Sequence, residues 1–271
     1  MAALPEIDAV AAVVREAALE HALPRFKRLR AHEVSEKSLN DLLTSADLAT
    51  EAALEQRLPA LLPGSVVVGE EAVSRDPAVL EAIAGAAPCW IVDPIDGTIN
   101  FANGLPLFAT MVALAVGGEV VGGWIYDAVH DVMAAAETGA GAVLDGRRVR
   151  LQPPVEPKRY SGCLHLGGYD RDLAATAARN FERVGPLLVL HCAGLEYQMI
   201  LQGRLHYALY RHTNPWDHAP GELLLREAGG YSSRLDGTPY RLAEIDHPSP
   251  LVVSAGQGVW GDLKRVLFEL D

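Results

Sequence analysis

Cysteine is scarce. Cys89, Cys163 and Cys192 are the only three in 271 residues, far apart and without a C-x-x-C pair. An odd, scattered set is no disulfide framework and points to a reducing home, the cytoplasm. Basic residues are also in short supply: 23 Lys and Arg face 35 Asp and Glu, a net charge of -12. A chain without a basic excess lacks the electrostatic footing of a nucleic-acid or anionic-membrane binder. Long apolar runs are missing too. The longest uncharged stretch, Gly97 to Gly118, is broken by Asn100, Asn103, Pro106 and several glycines. It reads as a site loop followed by a buried strand, not a membrane span. The opening Met-Ala-Ala-Leu-Pro-Glu-Ile-Asp shows no basic or apolar region of a signal peptide. No internal repeat or low-complexity segment is visible.

What remains is 49% hydrophobic, enough for a sizeable core in one large or two small domains. Ile7, Val10, Val13, Val14 and Ala17 recur at helical spacing, which predicts an amphipathic helix from Ile7 to about Leu29, bent or ended near Pro24. A polar stretch, His32 to Asn40, follows as a loop or irregular hairpin. A second helix is expected from Ser45 to about Leu61, stopped by Pro63-Gly64. Short strands at Val66–Val68 and Trp90–Val92 each end in acidic residues. From Phe108 to Leu151 alternating apolar runs predict a meander, with Asp145-Gly146 as a two-residue hairpin turn. Beyond a proline-rich link at Pro153–Pro157, strands near 162–166, 187–191, 205–210, 231–233 and 251–254 alternate with helices near 172–181, 195–202, 216–228 and 260–270. Two joined lobes are expected, an α+β lobe over residues 1–152 and an α/β lobe over 153–271.

The most informative string is Trp90-Ile91-Val92-Asp93-Pro94-Ile95-Asp96-Gly97-Thr98-Ile99-Asn100-Phe101. An apolar strand delivers Asp93 at its end, Pro94 forces a turn, and Asp96 follows three residues on. Gly97-Thr98 can then open a helix or a nest of N–H groups. Two carboxylates beside outward donors suit a divalent cation next to a phosphate; the plainer alternative is an Asx-type turn. Other acids are weaker taken singly. Glu70 and Glu71 could be a solvated strand end, Asp217 a helix N-cap, and Asp47 a first-turn acid favoured by the helix dipole.

In this order, the elements resemble the inositol monophosphatase family, one of the lithium-sensitive, magnesium-dependent phosphatases that include fructose-1,6-bisphosphatase. The motifs are Gly69-Glu70-Glu71, the string at 90–101, and Trp216-Asp217-His218-Ala219-Pro220-Gly221 with its Glu227-Ala228-Gly229-Gly230 tail; Lys37-Ser38 and Asp41–Thr44 fit the family's flexible segment. The resemblance implies a layered α-β-α-β-α sandwich of the α/β (α+β) class. It implies two or three Mg²⁺. Glu70, Asp93 and the Ile95 carbonyl would hold one, Asp93, Asp96 and Asp217 a second, and Glu70 would reach a third. Asp47 and Thr98, with Glu70, would activate a water for in-line attack, and the Gly97 and Thr98 amides would grip the phosphate. It further implies a homodimer acting on a small phosphate monoester, inositol-1-phosphate by default.

Asp-x-Asp-Gly-Thr is also the nucleophile motif of haloacid-dehalogenase-type phosphatases. Here the two aspartates are three apart and lie in mid-chain, which favours direct water attack over a phosphoaspartate. The substrate side departs from the family. His191-Cys192-Ala193 stands where many relatives have Gly-Ser/Thr-Ala, and Tyr210, followed by Arg211, stands where they place a glutamate on an inositol hydroxyl. The candidate substrate contacts are therefore Asp96, Ala193, Tyr210 and Arg211. Histidinol phosphate, fructose-1,6-bisphosphate and nucleotide phosphates compete as substrates, the last disfavoured by Ile99-Asn100-Phe101 after Thr98. A non-catalytic regulatory protein on the same fold is the competing class. Glu222 is expected to face solvent, and His191 and His206 to serve packing or the surface.

Overall fold

Ile7–Ala17 folds as α1, presenting Val10, Val14 and Ala17 to the interior and Arg15 away from it. Past Ala17 the backbone loosens into a π turn over Ala18–Ala22 and a 3₁₀ turn over Leu23–Arg25, where Pro24 cannot donate to a regular helix. The computed structural model describes residues 4–39, 41–165, 171–242, 244–245 and 247–270. Asn40 and Leu166, which fall in predicted segments, lie outside that set.

The stretch from His32 becomes a short antiparallel hairpin, β1 (Val34–Ser38) and β2 (Asp41–Thr44). Helix α2 spans Ser45–Leu61, and Thr44 caps it in a reciprocal capping box with Asp47. Then come β3 (Val66–Gly69), α3 (Glu70–Arg75), β4 (Cys89–Asp96) and α4 (Thr98–Ala102). The meander is β5 (Ala109–Val116), β6 (Glu119–Asp127), β7 (Val132–Glu137), β8 (Gly141–Leu144) and β9 (Arg147–Val149). Strands β3 to β9 lie in chain order in one seven-stranded sheet, antiparallel except for the parallel β3–β4 pair. At the β8–β9 hairpin Asp145 and Gly146 take φ of +48° and +70°, the geometry of a tight hairpin whose twist matches its strands.

The second half holds β10 (Gly162–Leu164), α5 (Arg171–Asn180), β11 (Leu187–Leu188), α6 (Ala193–Leu201), β12 (Tyr207–Tyr210), α7 (Pro215–Glu227), β13 (Tyr231–Arg234), β14 (Leu251–Ser254) and α8 (Gln257–Val266). Its five-stranded mixed sheet runs β11-β10-β12-β14-β13. Period-2 alternation sorts the side chains of both sheets into layers. Trp90 and Val92 pack with α1 and α2, whereas Ala109, Met111 and Ile125 face α6 and α7. Ala208 and Val253 meet the same two helices from the other side, and Tyr207, Leu209 and Val252 pack on α5 and α8. The result is the α-β-α-β-α sandwich, with α6 and α7 as its central layer.

Two differences from the sequence-based expectation bear on the acidic residues. Strand β4 does not end at Asp93: it runs on through Pro94 to Asp96, with a register shift between the two aspartates. A bulge re-aims side chains while keeping the strand paired. The acidic pair after β3 is no solvated strand end, because Glu70 and Glu71 start α3 and Glu71 is 1% exposed.

Candidate active site

The bulge in β4 lets Asp93 and Asp96 point the same way, and α7 brings up Asp217 from the opposite side. Oxygens from these three carboxylates lie within 4.8 Å of one another. Asp217 is not the N-cap of α7. Asn214 holds that place, Pro215 opens the helix, and the Asn214 amide donates to Asp217 Oδ2 at 3.1 Å. Asp96 is tied across the layers, with Oδ2 accepting from the Gly194 N–H at 2.5 Å and lying 3.1 Å from Cys192 Sγ. Thus a carboxylate of the first half is anchored on the start of α6 in the second.

This grouping is costly for protein groups alone. Burial, then repulsion from Glu70, Asp96 and Asp217, holds the Asp93 carboxyl well above the usual range. Asp217 is raised in the same way by burial, Asp96 and Glu70. Asp96 is pushed up to about 6, burial outweighing its bonds to the α6 terminus. Asp93 Oδ1 is buried and has no hydrogen-bond partner among the described residues. An all-oxygen, anionic, crowded set with an orphaned lone pair fits a hard divalent cation, which would relieve every one of these penalties.

Beside that set stands a second acidic group. Lys37, delivered by the β1–β2 hairpin, puts Nζ 2.8 Å from Glu70 Oε1 and 3.1 Å from Glu71 Oε1. Burial alone would lower the Lys37 pKa, but the two glutamates outweigh it and the net shift is upward. Glu71 is lifted to about 8 by burial and Glu70, against the pull of Lys37. Its backbone N–H donates to Glu51 Oε2 at 2.8 Å. Gly69 is required here, since a Cβ would collide with that same oxygen.

Asp47 sits one turn into α2, fully buried. Its Oδ2 accepts from the Thr44 N–H at 2.8 Å and from the Thr44 hydroxyl at 2.5 Å. Oδ1 lies 3.3 Å from Thr98 Oγ1, which is also 2.9 Å from the Ile95 carbonyl oxygen. Burial raises Asp47 to about 6, with Glu70 adding to the rise and Thr44 opposing it. Gly97 adopts φ +88°, a left-handed turn open to glycine. It starts α4, whose first N–H groups have no partner within the helix.

The candidate substrate contacts converge. Asp96, Ala193, Tyr210 and Arg211 all line one cleft of about 430 Å³, together with Asp217. His165, His191, His212 and His218 line it as well. His191 is a surface residue at the cleft, its ring 5.6 Å from that of His165, and His206 accepts the Ser161 N–H at 3.1 Å away from the cleft. Tyr197 and Tyr207 are core. Tyr197 Oη meets His218 Nδ1 at 3.2 Å while His218 Nε2 lies 3.0 Å from the His212 carbonyl. Burial lowers His218 to about 4, so the ring is neutral and donates through Nε2. Glu222 does not face solvent: its Oε1 is buried, and the side chain lines a groove of about 280 Å³ with Tyr240 and Arg226.

Glu196 and His165 escape a reading of the sequence, and Thr44, Lys37 and Glu71 enter it only as parts of motifs, without a role of their own. Only Thr44 carries a local signal, the Thr-x-x-Asp spacing of a capping box. The others act through partners far away in the chain.

Among solved structures, the chain is similar to the Thermotoga maritima IMPase (TM-score 0.79, 25% identity, 97% of this chain and 96% of that one). It is similar also to the extragenic suppressor protein suhB of Bartonella henselae (TM-score 0.81, 25% identity, covering 96% and 97%). An inositol-1-monophosphatase of Mesorhizobium japonicum is 32% identical over 224 residues, 78% of this chain and 79% of that protein. One of Rhizobium meliloti is 33% identical over 218 residues, covering 78% and 79%. Residues 4–267 match the family model described as the inositol monophosphatase family, and the chain belongs to that family.

Proposed function

We propose that the protein is a Mg²⁺-dependent hydrolase of small phosphate monoesters, and that inositol-1-phosphate is its reference substrate. The observation that carries the reading is the convergence of Asp93, Asp96 and Asp217 within 4.8 Å beside a cleft lined by two of the three. Glu70, Asp93 and the Ile95 carbonyl would hold one ion, Asp93, Asp96 and Asp217 a second, and Glu70 a weaker third once Lys37 gives way. Bound there, magnesium would supply positive charge to the attacking and leaving oxygens of an in-line displacement.

The chain's own groups do the rest. Asp47, poised at about 6, accepts the proton of the attacking water through the Thr98 hydroxyl beside it; a base with a pKa just below neutrality is matched to this task. Thr98 fixes the direction of attack, because its oxygen is held between Asp47 Oδ1 and the Ile95 carbonyl. The Gly97 and Thr98 amides receive the phosphate oxygens. The family resemblance also supports a homodimer and inhibition by lithium, the scattered cysteines a cytoplasmic home, and the proline-rich link two lobes meeting at residues 152/153. No helix among the described residues is long and apolar enough to cross a membrane.

The test is phosphate release from a panel of sugar, polyol and amino-alcohol phosphates with Mg²⁺ and with chelator, then the stereochemical course at a phosphorus made chiral with oxygen isotopes. Mg²⁺-dependent release, with inversion at phosphorus, is the expected outcome. Inertness across the panel would move the protein to the regulatory class, and retention would restore the phosphoaspartate route.

A further inference from the structure

The inner end of the cleft is acidic, but its outer wall is not. Glu196, on α6, is wholly buried, and both its oxygens are taken by His165 Nε2, at 2.9 and 3.2 Å. Glu196 itself does not line the cleft, and what reaches it is the imidazole. His165 Nδ1 has no partner among the described residues, and the ring is stacked on Tyr210 at a centroid distance of 5.8 Å and tilted against His191 at 5.6 Å, so Glu196 and these two rings set its orientation. Around the same wall stand Arg211 and the exposed His191 and His212. Arg211 is the cation of this wall. Burial would lower the His165 pKa, but the bond to Glu196 and its charge outweigh it, which favours the ring protonated on both nitrogens, whose Nδ1 then donates. A polyol hydroxyl needs an acceptor as well as a donor, and the family's means of giving one, a glutamate on the strand that ends at position 210, is here a tyrosine. Cationic donors are complementary to a group with acceptors only, and a guanidinium is the side chain best shaped for carboxylate or phosphate oxygens.

We propose that the outer half of this cleft recognises a second anionic group on the alcohol part of the substrate, a carboxylate or a second phosphate, with Arg211 and His165 as the specificity-determining residues. Glu196 is a positioning residue that acts through His165. The inference rests on the phosphate-monoester reading and names the substrate class within it. Sites built from paired polar groups reject the analogue lacking the matching group more strongly than apolar pockets do.

Matched pairs test it. Glycerol 3-phosphate and 3-phosphoglycerate differ in a hydroxymethyl against a carboxylate, as do glycerol 2-phosphate and 2-phosphoglycerate. Glucose 1-phosphate with glucose 1,6-bisphosphate tests a second phosphate instead. With Mg²⁺, kcat/KM is expected to be at least tenfold higher for the doubly anionic member of at least one pair. R211Q and H165Q should each shrink that ratio at least fivefold, mainly through KM. Which pair responds tells carboxylate from phosphate. Ratios near one in all three pairs, or ratios that survive both substitutions, would overturn the inference while leaving the hydrolase standing. Absence of phosphate release from every compound, p-nitrophenyl phosphate included, would remove the hydrolase and this inference together.

Discussion

Replacing Asp93 by asparagine separates what the site does for catalysis from what it does to the fold. Asp93 is 1% exposed, and its carboxyl sits within 4.8 Å of two others. At that distance and an effective dielectric of 20, each like-charge pair repels by about 3 kcal/mol. The metal-free protein escapes part of this by holding protons, as the upward shifts at Asp93 and Asp217 show. An acid whose folded pKa is raised stabilises fully below its unfolded pKa and loses that contribution as pH climbs to the folded value. The asparagine amide keeps the shape, removes one charge, and can donate to the Asp96 or Asp217 carboxylate. Metal-free D93N should therefore be more stable than the parent at pH 8, by about 1–3 kcal/mol, and by less at pH 5, because the upward shift lets the parent hold more of its carboxyl protonated there. In a chain of this size that is a Tm gain of about 2–8 °C. With Mg²⁺ the order reverses: the parent gains, by about 2.7 kcal/mol at a hundredfold excess over Kd, and the variant gains little. Phosphatase activity should fall by at least about 10³, the loss of a charge used in the transition state. Thermal melts at both pH values, with EDTA and with Mg²⁺, provide the assay. A metal-free D93N that melts below the parent at pH 8, or still rises with Mg²⁺, would refute the idea that these carboxylates are gathered for a cation.

Thr98→Val removes the oxygen 3.3 Å from Asp47 and 2.9 Å from the Ile95 carbonyl. A drop of about 10²-fold in kcat with KM within threefold is expected, and a KM-only effect would place Thr98 in binding alone. Asp47 at about 6 must be deprotonated to act, so kcat/KM should rise with pH through an acidic limb at or below about 6. A limb above 7 in the wild type, or an unmoved one in Asp47→Glu, would exclude it as the base. Gly69→Ala puts a methyl on the Glu51 carboxylate and should destabilise by about 1–3 kcal/mol, read from urea melts; no change would mean that Glu51 is free to move.

The fold is legible wherever burial follows chain-local periodicity. Ser45–Leu61 and Leu251–Ser254 form with the bounds expected, because their apolar spacing and flanking caps agree with their packing. The acidic motifs are legible as types and spacing, and the structure draws Asp93, Asp96 and Asp217 together. Other features are not legible, for physical reasons. Glu70-Glu71 looks like a solvated end until Lys37, 33 residues before Glu70, is seen to neutralise it. Glu196 carries no signal of its own in the sequence, because its partner His165 lies 31 residues away. Glu222 reads as solvent-facing because nothing nearby in the chain reveals that Tyr240 helps to close a groove around it. Long-range charge compensation leaves no period in a sequence.

The tie between Asp96 and the start of α6 has a consequence for how the molecule is made. A chain emerging from the ribosome displays Asp93 and Asp96 more than a hundred residues before Asp217 exists, and before the Gly194 amide can take up one carboxylate oxygen. Until then the two aspartates are a half-built claw with weak hold on any ion. On the proposed function, cation capture would therefore be a late event in biosynthesis, waiting on the arrival of the central helices.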